Sequence, residues 1–199
     1  RAIRLESSSW PTRIAQSSPS PLTSEGESLL DKLKRQDLPR TEGVRIVSRV
    51  ARAVEYAHAQ GVVHRDLRPA NVLVNVGGMV RLTDFGIAKP IGSRTRLTRT
   101  GAAIGTPAYA PPEQSGGDEP VDARADVYGL GATLYALLAG RPPFVGSFAE
   151  VLTQLLRQDP EAPSVHRPGV PEPLDRIVLR CLEKDPAQRF PTVAAFAEA

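Results

Sequence analysis

Apolar positions fall in distinct rhythms along the chain, and each rhythm predicts an element. From about Thr41 to Gln60, Val44, Val47, Ala51, Val54 and His58 recur at three- and four-residue steps, the stripe of an amphipathic helix. Gly61 follows where a helix commonly turns left-handed. Leu29, Leu30 and Leu33 predict a shorter helix ending near Gln36, with Pro39 as punctuation. Val62-Val63, Val72-Leu73-Val74 and Met79-Val80-Arg81-Leu82 read as short strands, the last two joined through Gly77-Gly78 as a hairpin. Val127, Leu130, Leu134, Leu137 and Leu138 mark a strongly apolar, buried helix. Ser147-Phe148-Ala149-Glu150 is a capping box that opens another. A proline-rich connection over 160–173 precedes a helix from Leu174 to Leu182, and Thr192 is placed to cap a final one. The sum is an α+β chain, mostly helical, with a small β-hairpin and no internal repeat.

Composition narrows this picture without deciding it. With 199 residues and a hydrophobic share of 41%, the chain holds one domain, or part of one, with a real core. Residues 1–25 carry many serines with Pro11, Pro19 and Pro21 and little periodic apolar signal, which reads as a linker or disordered segment. The net charge of +3 is small and its basic residues form no long run, so no nucleic-acid partner is expected. The single cysteine, Cys181, sits in an apolar helical stretch; it excludes an internal disulfide, fits a core position and favours a reducing, cytoplasmic compartment. No apolar run reaches the roughly 18 residues that span a bilayer. The chain starts at Arg1 and its one methionine is Met79, so it reads as part of a longer product, whose membrane anchoring stays open.

The polar loops carry the chemistry. His64-Arg65-Asp66-Leu67-Arg68-Pro69-Ala70-Asn71 follows the strand at Val62-Val63, and Asp84-Phe85-Gly86 follows the hairpin. The hairpin returns Asn71 and Asp84 to the same end, an amide oxygen and a carboxylate, both hard donors suited to magnesium. Asp66 is a candidate to accept a proton from an attacking hydroxyl. Asp and Asn also populate turns on their own account, and an isolated Asp-Phe-Gly carries little information. The joint spacing, with Asn five residues after the Asp and Asp84 thirteen after the Asn, is far more specific.

That spacing resembles the catalytic and magnesium loops of the eukaryotic-like (Hanks-type) serine/threonine protein kinases, closest to bacterial ones. Further stretches extend the resemblance over roughly Glu25 to Ala199: 105–114 with Pro111-Pro112-Glu113 where the family has Ala-Pro-Glu, Asp126-Val127-Tyr128-Gly129-Leu130-Gly131, and Lys184-Asp185-Pro186-Ala187-Gln188-Arg189-Phe190. The resemblance implies residues 26–199 as the large, C-terminal lobe of a protein kinase. It implies transfer of the ATP γ-phosphate to serine or threonine hydroxyls of protein substrates, with Mg²⁺ (or Mn²⁺) as cofactor. Asp66 would be the base, Asn71 and Asp84 the metal ligands, and Leu73 the floor of the adenine pocket. Arg68 would face the phosphate where the family usually has Lys, keeping the charge but presenting a planar fork. His64 is implied as a packing histidine, Glu113 as the partner of Arg189, and Asp126 as a brace accepting backbone N–H bonds from the loop. Arg65 before the Asp implies a switch in which a phosphothreonine, Thr98 or Thr100 ahead of Ser93 and Thr95, pairs with it. Dimerisation for phosphorylation in trans is a further partner mode the family allows.

One expectation runs the other way. The family's small lobe clamps ATP with a glycine-rich loop and a strand lysine. Neither motif occurs in this sequence, and only about 25 residues precede Gly26-Glu27-Ser28-Leu29, the match to the segment after the interlobe hinge. The alternative is therefore a non-catalytic scaffold or regulatory module, with Leu73 exposed for want of a roof. A magnesium-dependent phosphatase or small-molecule kinase would share the ligands but not the downstream motifs.

Overall fold

The computed structural model describes residues 26–84, 107–115 and 121–199, together with the backbone of 3–4 and 89–90. Its spine is a pair of long helices. The first, after a short α1 (Leu29–Arg35), is α2 (Arg40–Ala59), which buries Ile46, Val47, Val50, Ala51, Ala53, Val54 and Ala57. It ends as its sequence requires: Gly61 takes φ 74°, the left-handed value that a side chain would disfavour. The second is α3 (Arg124–Ala139), in which every residue from Ala125 to Ala139 is buried. A helix apolar on all sides must be surrounded. Here α2, the short α5 (Pro163–His166), α6 (Glu172–Cys181) and α7 (Val193–Glu198) enclose it.

The remaining helix, α4 (Phe148–Arg157), begins at a complete capping box, with the Ser147 hydroxyl accepting from Glu150 N–H and the Glu150 carboxylate accepting from Ser147 N–H. Thr192 caps α7 by accepting from Ala195 N–H at 3.1 Å. Two of the helical expectations shift. The proline-rich connection is interrupted by α5, and α6 opens two residues earlier than the apolar pattern suggested. Pro173 therefore lies inside its first turn, where a missing N–H costs nothing.

The expected hairpin is present as β4 (Val72–Val74) and β5 (Val80–Leu82), in antiparallel register Val72↔Leu82, Leu73↔Arg81 and Val74↔Val80. Met79, read as a strand residue, instead closes the turn: its N–H reaches Asn75 Oδ1 at 2.8 Å and its carbonyl accepts from Asn75 N–H. The hairpin is also wider than expected. Strand β2 (Glu27–Ser28) joins β4, and β1 (Ile3–Arg4), within the segment read as linker, joins β5, giving the order β1-β5-β4-β2. Two-residue strands are shorter than any alternation that a sequence can display. A second small sheet pairs β3 (Val62–Val63) with β6 (Lys89–Pro90). These sheets lie where the polar loops begin and end.

Candidate active site

The segment 64–68 leaves β3 with no ladder to enter, so its backbone N–H groups need other acceptors. Asp126 supplies them. It sits in the first turn of α3, fully buried, and its carboxylate accepts from His64 N–H at 2.9 Å and Arg65 N–H at 2.7 Å. A third partner, His58 Nε2 on α2, lies 2.7 Å from the same carboxylate. These contacts hold Arg65 at φ 68°, a left-handed conformation unusual for a side chain of its size. On its other side the Arg65 carbonyl accepts from Gln114 Nε2 at 3.0 Å, and its guanidinium donates to Val121 O. Gly129 lets α3 approach this loop, since a Cβ there would lie 2.8 Å from the Leu67 carbonyl oxygen.

His64 is buried and locks the loop to the far strand. Its Nε2 donates to Thr83 O at 3.0 Å, and Nδ1 accepts from Asp66 N–H at 3.3 Å. Those partners require the neutral ring with its proton on Nε2. Burial holds its pKa below the ordinary imidazole value and outweighs the opposing pull of Asp126, the Thr83 carbonyl, Asp66 and Asp84.

The 3-10 turn Pro69–Asn71 then brings Asn71 back beneath Asp66. Asn71 Nδ2 donates to both the Asp66 carbonyl and Asp66 Oδ2, each at 2.9 Å. With its N–H groups committed there, the amide oxygen is the donor atom left for a cation. Thr83 binds Asn71 O through its N–H at 2.9 Å and its hydroxyl at 3.2 Å. Asp84, the next residue, is exposed with φ 59°. The structure thus gathers Asp66, Asn71 and Asp84 at one end of the hairpin. Leu73 on β4 is half-buried, not exposed as the sequence suggested, because β2 and β5 flank it. Arg68 is also half-buried, and its Nε has no partner among the described residues. Near it, burial pushes the Tyr109 hydroxyl up to about 12 against the pull of the Arg68 charge.

Away from the loop, the structure brings Arg189 and Glu113 together. The Arg189 side chain is buried, and its five N–H groups meet five acceptors. Two are the Glu113 carboxylate oxygens at 2.7 and 2.8 Å; the others are the carbonyls of Glu183, Arg124 and Lys184. Full satisfaction is what lets a guanidinium be buried at all.

Phe85, Gly86, Ser93, Thr95, Thr98, Thr100 and Thr106 lie outside the described residues. Three contributors escaped the sequence reading. His58 entered it only as part of an apolar stripe, though a polar residue on such a stripe needs a buried partner. Thr83 and Gln114 each adjoin a residue that the reading did single out. Among the described residues no three His, Cys, Asp or Glu are grouped so that they could hold a metal ion by themselves. A cation here would rely on phosphate oxygens and water beside Asn71 and Asp84, the habit of magnesium.

Comparison with known proteins agrees with this geometry. The protein kinase domain family matches residues 22–198. Serine/threonine-protein kinase PknB of Mycobacterium leprae is 43% identical over 158 residues, 79% of this chain and 25% of that protein. A probable serine/threonine-protein kinase of Streptomyces coelicolor is 48% identical over 143 residues, 71% of this chain and 21% of that protein. Serine/threonine-protein kinase PknJ of Mycobacterium bovis is 40% identical over 182 residues, 88% of this chain and 31% of that protein. The chain therefore spans between a fifth and a third of the length of these curated relatives. With the family match running through nearly all of the described residues, the chain belongs to the protein kinase domain family and resembles its eukaryotic-like bacterial members.

Proposed function

We propose that this chain forms the large lobe of an ATP-dependent protein kinase and carries its proton-accepting and magnesium-binding side chains. The γ-phosphoryl group of ATP passes to a serine or threonine hydroxyl of a protein, ADP leaves, and the hydroxyl proton goes to the Asp66 carboxylate. Asn71 and Asp84 would hold magnesium, which when bound would offset the charge of the phosphates. Arg68 faces the transferring phosphate, and Leu73 lies under the adenine. Serine and threonine as acceptors follow the names of the relatives. A cytoplasmic setting and dimerisation for transfer in trans belong to the same reading.

The observation that carries it is the pair of hydrogen bonds that Asn71 Nδ2 donates to Asp66. One amide fixes both the main chain and the carboxylate of Asp66, while its oxygen remains for a cation. A turn-forming Asp and Asn with no chemical role would have no need of that arrangement. Catalysis of this kind is mostly positioning and charge, so the arrangement is the substance of the mechanism.

The test is transfer of labelled γ-phosphate by the full-length protein containing this sequence, offered protein and small-molecule acceptors, with and without a chelator. Label should appear on protein serine or threonine, vanish with the chelator, and fall about 10²–10⁴-fold in Asp66→Asn. Absence of transfer favours a non-catalytic module, and label on the small molecules alone would put the chain in a different reaction class.

A further inference from the structure

The peptide bond between Arg65 and Asp66 is held on both edges. Its N–H, that of Asp66, donates to His64 Nδ1 at 3.3 Å. Its oxygen, that of Arg65, accepts from Gln114 Nε2 at 3.0 Å. A peptide plane gripped at both edges cannot rotate, and its rotation sets the direction in which the next side chain leaves the backbone. That side chain is Asp66.

We infer that Gln114 is a positioning residue for Asp66, acting through the Arg65 carbonyl. The inference rests on the reading of Asp66 as proton acceptor and extends it to a residue with no place in that chemistry. Three features support it. Arg65 sits at φ 68°, an unfavourable state for a non-glycine residue, so an outside restraint is needed to keep the peptide there. Asp126 supplies that restraint on the N–H of Arg65, and Gln114 supplies it on the carbonyl, so the residue is held from both ends. Gln114 itself is rigidly mounted. It is the last residue of the 3-10 turn Pro112–Gln114, which Pro111 and Pro112 open and two turn hydrogen bonds close, Gln114 N–H to Pro111 O and Ser115 N–H to Pro112 O.

The neighbour of Gln114 makes the arrangement a clamp. Glu113, in the same turn, grips the buried Arg189 with both carboxylate oxygens. One turn therefore ties the C-terminal region of the chain to the peptide that precedes Asp66. The chemistry at position 114 is specific: the Arg65 oxygen needs an N–H donor, which the amide of glutamine supplies and a carboxylate or thioether of like length does not.

The experiment compares Gln114→Met, which keeps the length without the donor, and Gln114→Lys, which restores an N–H donor, in the full-length protein. In Gln114→Met, kcat should fall about tenfold with KM for ATP within about twofold, since misplacing a reacting group costs rate more than binding. Amide exchange at Asp66 should accelerate while the melting temperature barely moves, and Gln114→Lys should recover most of both. Unchanged exchange at Asp66 in Gln114→Met overturns the inference, as does a lower melting temperature with that exchange unchanged, or a Gln114→Lys variant as impaired as Gln114→Met. If the unaltered protein transfers no phosphate, the functional reading fails, and exchange at Asp66 still decides whether Gln114 holds the peptide.

Discussion

Helix α3 is buried along its length and the loop 64–71 at most of its positions, and the two are buried by different physics. In α3 fifteen consecutive residues are shielded because nearly all are apolar, and any of several similar side chains would serve. In the loop, His64, Arg65 and Asn71 are shielded although polar, because each is matched to a named partner. The two regions meet at Asp126, the one carboxylate in the buried run of α3, which serves the loop and not the helix. Core burial is tolerant and contributes mainly stability. Loop burial is intolerant and contributes geometry. Substitutions should separate the two.

The strongest test of that separation is Asp126→Ala, which removes the shared group. It leaves the N–H groups of His64 and Arg65 and the ring of His58 without their acceptor, and each buried unsatisfied group costs about 1–3 kcal/mol. The expected loss is roughly 4 kcal/mol in chemical denaturation, together with most of the phosphoryl-transfer rate of those molecules still folded. Retained rate per folded molecule would erase the distinction between the regions.

Leu130→Ala probes α3 alone. Leu130 is 1% exposed, and truncating it leaves a cavity costing about 3 kcal/mol. The rate per folded molecule should hold while the denaturation midpoint drops. A comparable loss of rate would mean that core packing, not the hydrogen-bonded brace, sets the loop.

A gentler probe is pH. His64 is buried neutral, and its pKa in the fold lies below the ordinary value of about 6.5. Below that value the unfolded chain takes up a proton that the fold resists. Its contribution to stability is therefore complete above pH ~6.5 and is lost as pH falls toward the depressed value, by at most about 1.4 kcal/mol per pH unit. Melting temperatures between pH 7 and 5 should decline more steeply in the unaltered protein than in His64→Asn. Equal slopes would mean that this ring does not titrate as described.

The smallest effect belongs far from both regions. Ser147→Ala removes the cap of α4 and should cost about 1 kcal/mol, read as a small shift in the denaturation midpoint with no change in transfer rate.

How much of this was legible in the sequence follows the same division. Apolar rhythm alone placed α2 and α3, because burial on one face or on all faces leaves a periodic trace, and the Ser147–Glu150 capping box placed the start of α4. The residue types of Asp66, Asn71 and Asp84 marked these loops as the candidate site, because hard oxygen donors at fixed spacing are rare by accident. What stayed hidden was pairing. Nothing in Glu27-Ser28 announces that it will lie beside Val74 and Leu73, since two residues carry no pattern. His58 sits on a helix stripe where its position is explained by periodicity, so its bond to Asp126 was invisible until α2 and α3 were seen together. Gln114 is an ordinary polar residue until the left-handed turn at Arg65 is known, and that turn depends on a carboxylate sixty-one positions away. Pro173 misled the reading because proline is as much a helix opener as a breaker.

The most direct measurement is amide hydrogen exchange across His64, Arg65 and the centre of α3 in the same protein. Although the loop has no regular structure, the Asp126 brace predicts that the His64 and Arg65 amides exchange about as slowly as those of α3, and that in Asp126→Ala only the loop amides become fast. Loop amides that exchange orders of magnitude faster than α3 in the unaltered protein would contradict the account, because the site would then lack the fixed geometry on which its chemistry depends.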